Sequence, residues 1–158
     1  MPVPPPLPQV EFDSDSLKLR LSMEIPADPK CITEVVEGVM KVVGAMECAC
    51  GHEDEIALAL QEAVANAVMH GAKQDPTKTV VCRVACEDQH GMLIIVSDPG
   101  EGFDLNNMPN PHRAENLYSD HGRGIYLINN LMDQVEFRRN GAEIRMRKFL
   151  KPQEEDVL

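Results

Sequence analysis

The stretch Glu62-Ala63-Val64-Ala65-Asn66-Ala67-Val68-Met69-His70-Gly71 decides the fold, because two glycine-rich turns follow it at useful distances. Those turns are Asp98-Pro99-Gly100-Glu101-Gly102 and His121-Gly122-Arg123-Gly124. Glu62 and Asn66 are four residues apart, so on a helix they share one face. A carboxylate beside an amide suits a base and a magnesium ligand, since magnesium takes few protein ligands and keeps its waters and substrate oxygens. Asn is a mediocre residue for a helix interior, because its side chain competes with the backbone. Its place in an alanine-rich helix asks for a reason. Asp98 ends the apolar run Met92-Leu93-Ile94-Ile95-Val96. A half-buried carboxylate there needs a donor, and the amino group of a base is one. Gly122 and Gly124 open an apolar helix, whose N-terminus attracts phosphate, and Arg123 can neutralise one.

Working outward, the spacing predicts the remaining elements. Residues 16–25 alternate apolar and polar, the mark of a half-buried strand. Asp28-Pro29 opens a helix, with Asp as N-cap and Pro in the first turn. Ile32, Val35, Val36, Val39, Val42, Val43 and Met46 recur at helical spacing, which carries that helix to about residue 47. A second helix is expected from Glu53 to Met69, with Gly71 as its C-cap. Residues 77–87 and 92–96 read as strands joined near His90-Gly91. Residues 103–121 are polar, with Pro109, Pro111 and four asparagines. A loop this long in a compact domain usually works as a lid or binding segment. Residues 125–132 form a short helix. Residues 134–138 and 143–149 form a closing hairpin with Asn140-Gly141 as its turn.

The order strand, helix, helix, strand, strand, lid, helix, strand, strand is satisfied by an α+β, two-layer sandwich. Its mixed, mainly antiparallel sheet is covered on one face by helices. The folded domain spans residues 16–150. Residues 1–15 form a proline-rich leader with disordered character, and residues 151–158 an acidic tail.

Composition narrows the function. The chain has 158 residues, 43% of them hydrophobic, enough for one domain with a sizeable core. The net charge of -11 repels nucleic acid phosphate, which argues against DNA or RNA binding. No apolar run approaches the roughly 18 residues of a membrane helix, and no signal peptide is visible, so a cytoplasmic location is expected. Five cysteines without a secretory signal read as reduced thiols. Cys48-Ala49-Cys50-Gly51-His52 has only a faint metal-ligand spacing, and no second pair completes a tetrahedral site. His70 reads as a helix-end histidine.

Each motif is ordinary alone. A Glu/Asn pair is often a solvated helix face, Asp-Pro-Gly is common turn chemistry, and a lone Gly-x-Gly is weak. In this order and at this spacing, the three resemble the N, G1 and G2 boxes of the GHKL ATPase superfamily. Within it the closest likeness is to anti-sigma-factor serine kinases of the RsbW and SpoIIAB kind. The stretches that carry it are Glu62-x3-Asn66-x3-His70-Gly71, Asp98-x-Gly100-x-Gly102-Phe103 and Gly122-Arg123-Gly124-Ile125-x-Leu127-Ile128-x2-Leu131-Met132-Asp133.

The resemblance implies a Bergerat-type ATP site. At the matching positions Glu62 is the general base for a partner's serine hydroxyl, and Asn66 holds magnesium. Asp98 accepts from the adenine amino group, Gly100 and Gly102 let the backbone approach the nucleotide, and Gly122, Arg123 and Gly124 shape the phosphate grip of the lid. It further implies a serine/threonine protein kinase that binds a sigma factor in one state and phosphorylates a STAS-type anti-anti-sigma protein in another, and it suggests a homodimer. An ATP-binding regulatory module without phosphate transfer is the alternative. One departure stands out. The family often carries threonine after the glycine of the last hairpin turn, where this chain has Ala142, which would loosen support for Asp98.

Overall fold

The structure, a computed structural model, describes residues 17–49, 51–87, 91–100 and 120–149. The elements run β1 (Leu17–Pro26), α1 (Ile32–Ala45), α2 (Glu53–Asn66), β2 (Thr79–Glu87), β3 (Gly91–Ser97), α3 (Asp120–Leu131), β4 (Gln134–Arg138) and β5 (Glu143–Lys148). The strands form one sheet in the order β1-β2-β3-β5-β4. Every pairing in it is antiparallel, so the expected mixed character is corrected to a purely antiparallel sheet. The expected leader, acidic tail and residue Cys50 lie outside the described residues. So does the predicted lid, apart from Asp120 and His121.

Period-two burial sets the register. In β3, Met92, Ile94 and Val96 are buried while Leu93, Ile95 and Ser97 are only half-buried. Cys82 and Ile144 stand opposite Val96 on the two neighbouring strands, so one face of the sheet is continuously apolar. A one-residue slip would turn that whole set to the other side. The helices cover this face. Val36, Val39 and Val43 are buried on α1, and Ile56, Ala59, Leu60, Ala63 and Val64 on α2. Each large aliphatic side chain buried this way contributes about 1.5–3 kcal/mol. Val42 and Met46, which share the helical spacing of α1, are exposed. The sheet needs a narrower stripe than the sequence offers.

Local chemistry explains the helix ends. Asp28 caps a short 3-10 turn, Pro29–Cys31, that leads into α1; its Oδ1 accepts from Lys30 N at 3.0 Å. Glu53, Asp54 and Glu55 fill the first turn of α2, where the helix dipole favours anions. At its far end α2 departs from expectation. The chain widens into a π turn over Ala67–Gly71, in which Ala72 N donates to Ala67 O at 2.8 Å. Gly71 is not a left-handed C-cap. The left-handed residues are Lys73 and Gln74, at φ 53° and 58°. Single π turns recur at functional sites, because they re-aim the side chains around them.

The hairpin turn also differs. It spans Arg139 to Ala142, with Arg139, Asn140 and Gly141 all left-handed (φ 54°, 57° and 93°), and Arg138 faces Glu143 across it. The helix α3 begins at Asp120, earlier than the expected residue 125, so Gly122 to Gly124 lie within its first turns.

Candidate functional site

Asp98 is the hub of the site, and the pleat explains its aim. It follows β3 in the same alternation as Met92, Ile94 and Val96, which turns it toward the helix layer. Its N–H donates to Ala142 O at 2.8 Å, which ties the end of β3 to the start of β5. Its Oδ1 accepts from Gly100 N at 2.7 Å. The residue is only 7% exposed.

Two glycines leave room for this carboxylate. A Cβ on Gly71 would overlap the carboxyl group of Asp98. A Cβ on Gly100 would stand 2.5 Å from Gly71 O and 2.8 Å from Asp98 Oδ1. The end of α2, the turn after β3 and the carboxyl group are thus stacked in direct contact. Gly71 is required for this close approach and not for an unusual φ. Burial pushes the Asp98 carboxyl above its ordinary range, and the Gly100 N–H and the positive charge of Arg139 oppose that shift.

Glu62 and Asn66 meet as the helical spacing predicts. Glu62 Oε2, Asn66 Nδ2 and Asn66 Oδ1 lie 3.1, 3.1 and 3.3 Å from the point where a Cβ on Gly124 would stand. A side chain at Gly124 would crowd the ends of the Glu/Asn pair, which would have to give by a few tenths of an ångström. Both side chains are partly accessible.

Between these two centres lies a cavity of about 650 Å³, inside the usual range for small-molecule sites. Asn66, Asp98 and Gly100 border it, as do the small residues Ala63 and Ala67, which leave space along α2. Val96, Phe137 and Ile144 supply an apolar floor for a flat ring. Among the described residues Glu62 stands one helical turn behind Asn66, outside the cavity wall. Gly102 lies outside the described residues, Gly122 is placed only as part of the α3 backbone, and the side chain of Arg123 is not among those described.

No group of three or more His, Cys, Asp or Glu side chains gathers as a metal cage among the described residues. Magnesium needs few protein ligands beside its waters and phosphate oxygens. Asn66 Oδ1, beside the Glu62 carboxylate, has the chemistry for it. Cys48, Cys82 and Cys86 are buried thiols in no disulfide, and burial pushes the Cys82 thiol up to about 12. They pack within the hydrophobic core.

Ala142 is buried, and its main-chain carbonyl holds the backbone of Asp98. Backbone contacts thus anchor Asp98 where the sequence lacks the threonine hydroxyl. The sequence left Lys73, Lys78, Phe137 and Arg139 without a role. Nothing in their spacing relative to the three boxes marks them. They reach the site through the π turn, β4 and the hairpin turn.

A model of the histidine kinase-like ATPase domain matches residues 25–148. The chain belongs to this family. The matched span begins in β1 and ends with β5, so it contains the whole cavity and every described site residue. Curated relatives include the serine-protein kinase RsbW of Bacillus licheniformis, 28% identical over 137 residues, which cover 82% of this chain and 85% of that protein. The RsbW of Bacillus subtilis (strain 168) is 27% identical over the same shares. That of Bacillus cereus (strain Q1) is 29% identical over 143 residues, 83% of this chain and 85% of the relative. The likeness to GHKL ATPases expected from the three boxes therefore holds along most of the chain. No helix among the described residues is long and apolar enough to cross a membrane.

Proposed function

We propose that this protein is an ATP-dependent serine kinase that acts as an anti-sigma factor and phosphorylates a STAS-type anti-anti-sigma protein. The observation that carries the reading is a cavity lined by both Asn66 and the buried Asp98 carboxylate, with Glu62 beside Asn66 under Gly124. Similarity to serine-protein kinases RsbW across more than four-fifths of the chain supports it.

In this reading the adenine amino group donates to Asp98, and its ring lies over Val96, Phe137 and Ile144. The acceptor must be ionised, so the Gly100 N–H and the charge of Arg139, which favour the carboxylate, support binding directly. Asn66 Oδ1 is the residue that would hold magnesium, which when bound neutralises charge on the phosphate oxygens. Glu62 accepts the proton of the partner's serine hydroxyl as its oxygen bonds to the γ-phosphorus. The bond from that phosphorus to the bridging oxygen breaks, and the electron pair leaves with ADP. In such a step the protein's work is positioning and charge stabilisation. The rigid stacking of α2, α3 and the turn after β3 suits it.

Replacing Glu62 by Gln keeps size and hydrogen bonding but removes basicity. Binding of ATP should be nearly normal in Glu62→Gln, while transfer to a STAS-type protein falls by about 10²–10⁴. The label should sit on serine and resist acid. Transfer at the wild-type rate removes Glu62 from the mechanism. Tight ATP binding by the wild type with no transfer to any sigma-pathway partner makes the chain a binding switch.

A further inference from the structure

Two lysines border the cavity and have no part in the chemistry above. Lys73 and Lys78 lie at the two ends of the segment that links the π turn to β2. The chain carries a net charge of -11, so two cations on the rim of one cavity stand out. Neither ammonium group forms a hydrogen bond or salt bridge among the described residues. Lys78 lies near Asp75, but that carboxylate already accepts from Thr77 N at 3.0 Å and Thr77 Oγ1 at 2.6 Å.

The segment is held firmly. Gln74 N donates to Val68 O at 2.8 Å, Asp75 N to Ala72 O at 3.1 Å and Lys78 N to Asp75 O at 2.9 Å. Ala27 N donates to Lys78 O at 3.0 Å and pins the segment to the end of β1. Lys73 and Gln74 are both left-handed, a conformation that side chains other than glycine rarely adopt and that persists where surrounding contacts enforce it. Such strain gathers at ligand clamps.

We propose that Lys73 and Lys78 form a second anion grip for the phosphate chain of the nucleotide, reaching it from the β2 side of the cavity. The inference rests on the nucleotide reading above. In the sheet order β2 is separated from β4 by β3 and β5, so this grip lies away from the hairpin edge of the sheet. The phosphates, rather than the base, are the matching chemistry. The base end already has its polar partner in Asp98, and the cation that influences Asp98 is Arg139. A lysine ammonium is a compact point charge with three donors and no acceptor, and it binds phosphate oxygens without needing a fixed plane.

Affinities for ATP, ADP and adenosine, measured by calorimetry at several salt concentrations, test the proposal. The proteins are the wild type, Lys73→Gln/Lys78→Gln, Lys73→Arg/Lys78→Arg and the control Lys41→Gln on the exposed side of α1. The double Gln variant should bind ATP about two- to thirtyfold more weakly, as two exposed charge pairs would. Its adenosine affinity should stay within about twofold, and its salt dependence should flatten. The Arg variant should recover most of the ATP affinity, and Lys41→Gln should match the wild type. Unchanged ATP affinity in the double Gln variant overturns the proposal while leaving the nucleotide reading intact. Equal losses for ATP and adenosine also overturn it, since the segment would then shape the base pocket. A wild type that binds none of the three ligands instead removes the nucleotide reading itself.

Discussion

Replacing Gly71 by Ala tests the stacking on which the site depends. The backbone accepts the change: Gly71 has no left-handed φ, and alanine in a helical turn is favoured over glycine by about 0.5–1 kcal/mol. The added methyl group is the problem, because it would overlap the carboxyl carbon and both oxygens of Asp98. Asp98 has little room to retreat. Its N–H is held by Ala142 O and its Oδ1 by Gly100 N, at 2.8 and 2.7 Å. Forcing one extra carbon into such a space costs about 1–3 kcal/mol. Set against the helix gain, the net loss of stability is about 0–2.5 kcal/mol, or a fall in Tm of up to roughly 10 °C. The effect on binding should be larger than the effect on folding. A displaced carboxylate no longer accepts from adenine, and losing one charged acceptor costs about 1.5–3 kcal/mol, which is about 10- to 150-fold in affinity. A fluorescent ATP analogue, titrated into Gly71→Ala, Asp98→Asn and the double variant, reads this directly. The single variants should lose similar affinity, and the double variant little more, because both remove one interaction. A folded Gly71→Ala that binds the analogue as the wild type does would refute the reasoning.

Four further outcomes are expected. Wild-type ATP affinity should rise with magnesium, and Asn66→Ala should lose that gain while keeping its magnesium-free affinity; equal responses would mean that the metal is held elsewhere. Asp98 should make nucleotide affinity fall on acidification at a higher pH than an ordinary carboxylate would, because its raised pKa protonates the acceptor early. The sign for folding is opposite. A carboxyl whose folded pKa is raised destabilises the native state when ionised, so this group's contribution to stability improves as pH falls through that pKa. Removing the neighbouring charge in Arg139→Gln should move the acid limb of nucleotide binding to still higher pH, and an unmoved limb would remove Arg139 from the site. Lys148 is 8% exposed, donates to Leu131 O at 2.7 Å and pairs with Glu55, which joins the end of α3 to the start of α2. Lys148→Met should cost about 1–3 kcal/mol by leaving that carbonyl without its donor, read by chemical denaturation. A stability equal to the wild type would show that the carbonyl finds another donor.

Local periodicity made much of the fold legible before any coordinates. Met92, Ile94 and Val96 alternate, Val36, Val39 and Val43 recur at helical spacing, and Asp28-Pro29 caps a turn, so element order and type follow from short-range physics. The Glu62–Asn66 pairing was equally legible, since four residues on a helix put two side chains on one face whatever surrounds them. The π turn at Ala67–Gly71 was not. An α and a π turn of the same residues differ by one hydrogen-bond step, and the contact of Gly71 with Asp98, 27 positions away in the chain, accompanies that choice. The same holds for Gly124, whose missing side chain matters only because α3 packs on α2 at Glu62 and Asn66. Arg139, Lys73 and Lys78 carry no spacing signal at all. Their relation to the cavity is set by a turn of three left-handed residues and by a strained segment pinned to β1. Sequence fixes what lies within a few residues along one element. Which glycine makes room for which carboxylate, and which cation faces the cavity, depends on elements distant in the chain meeting at one point.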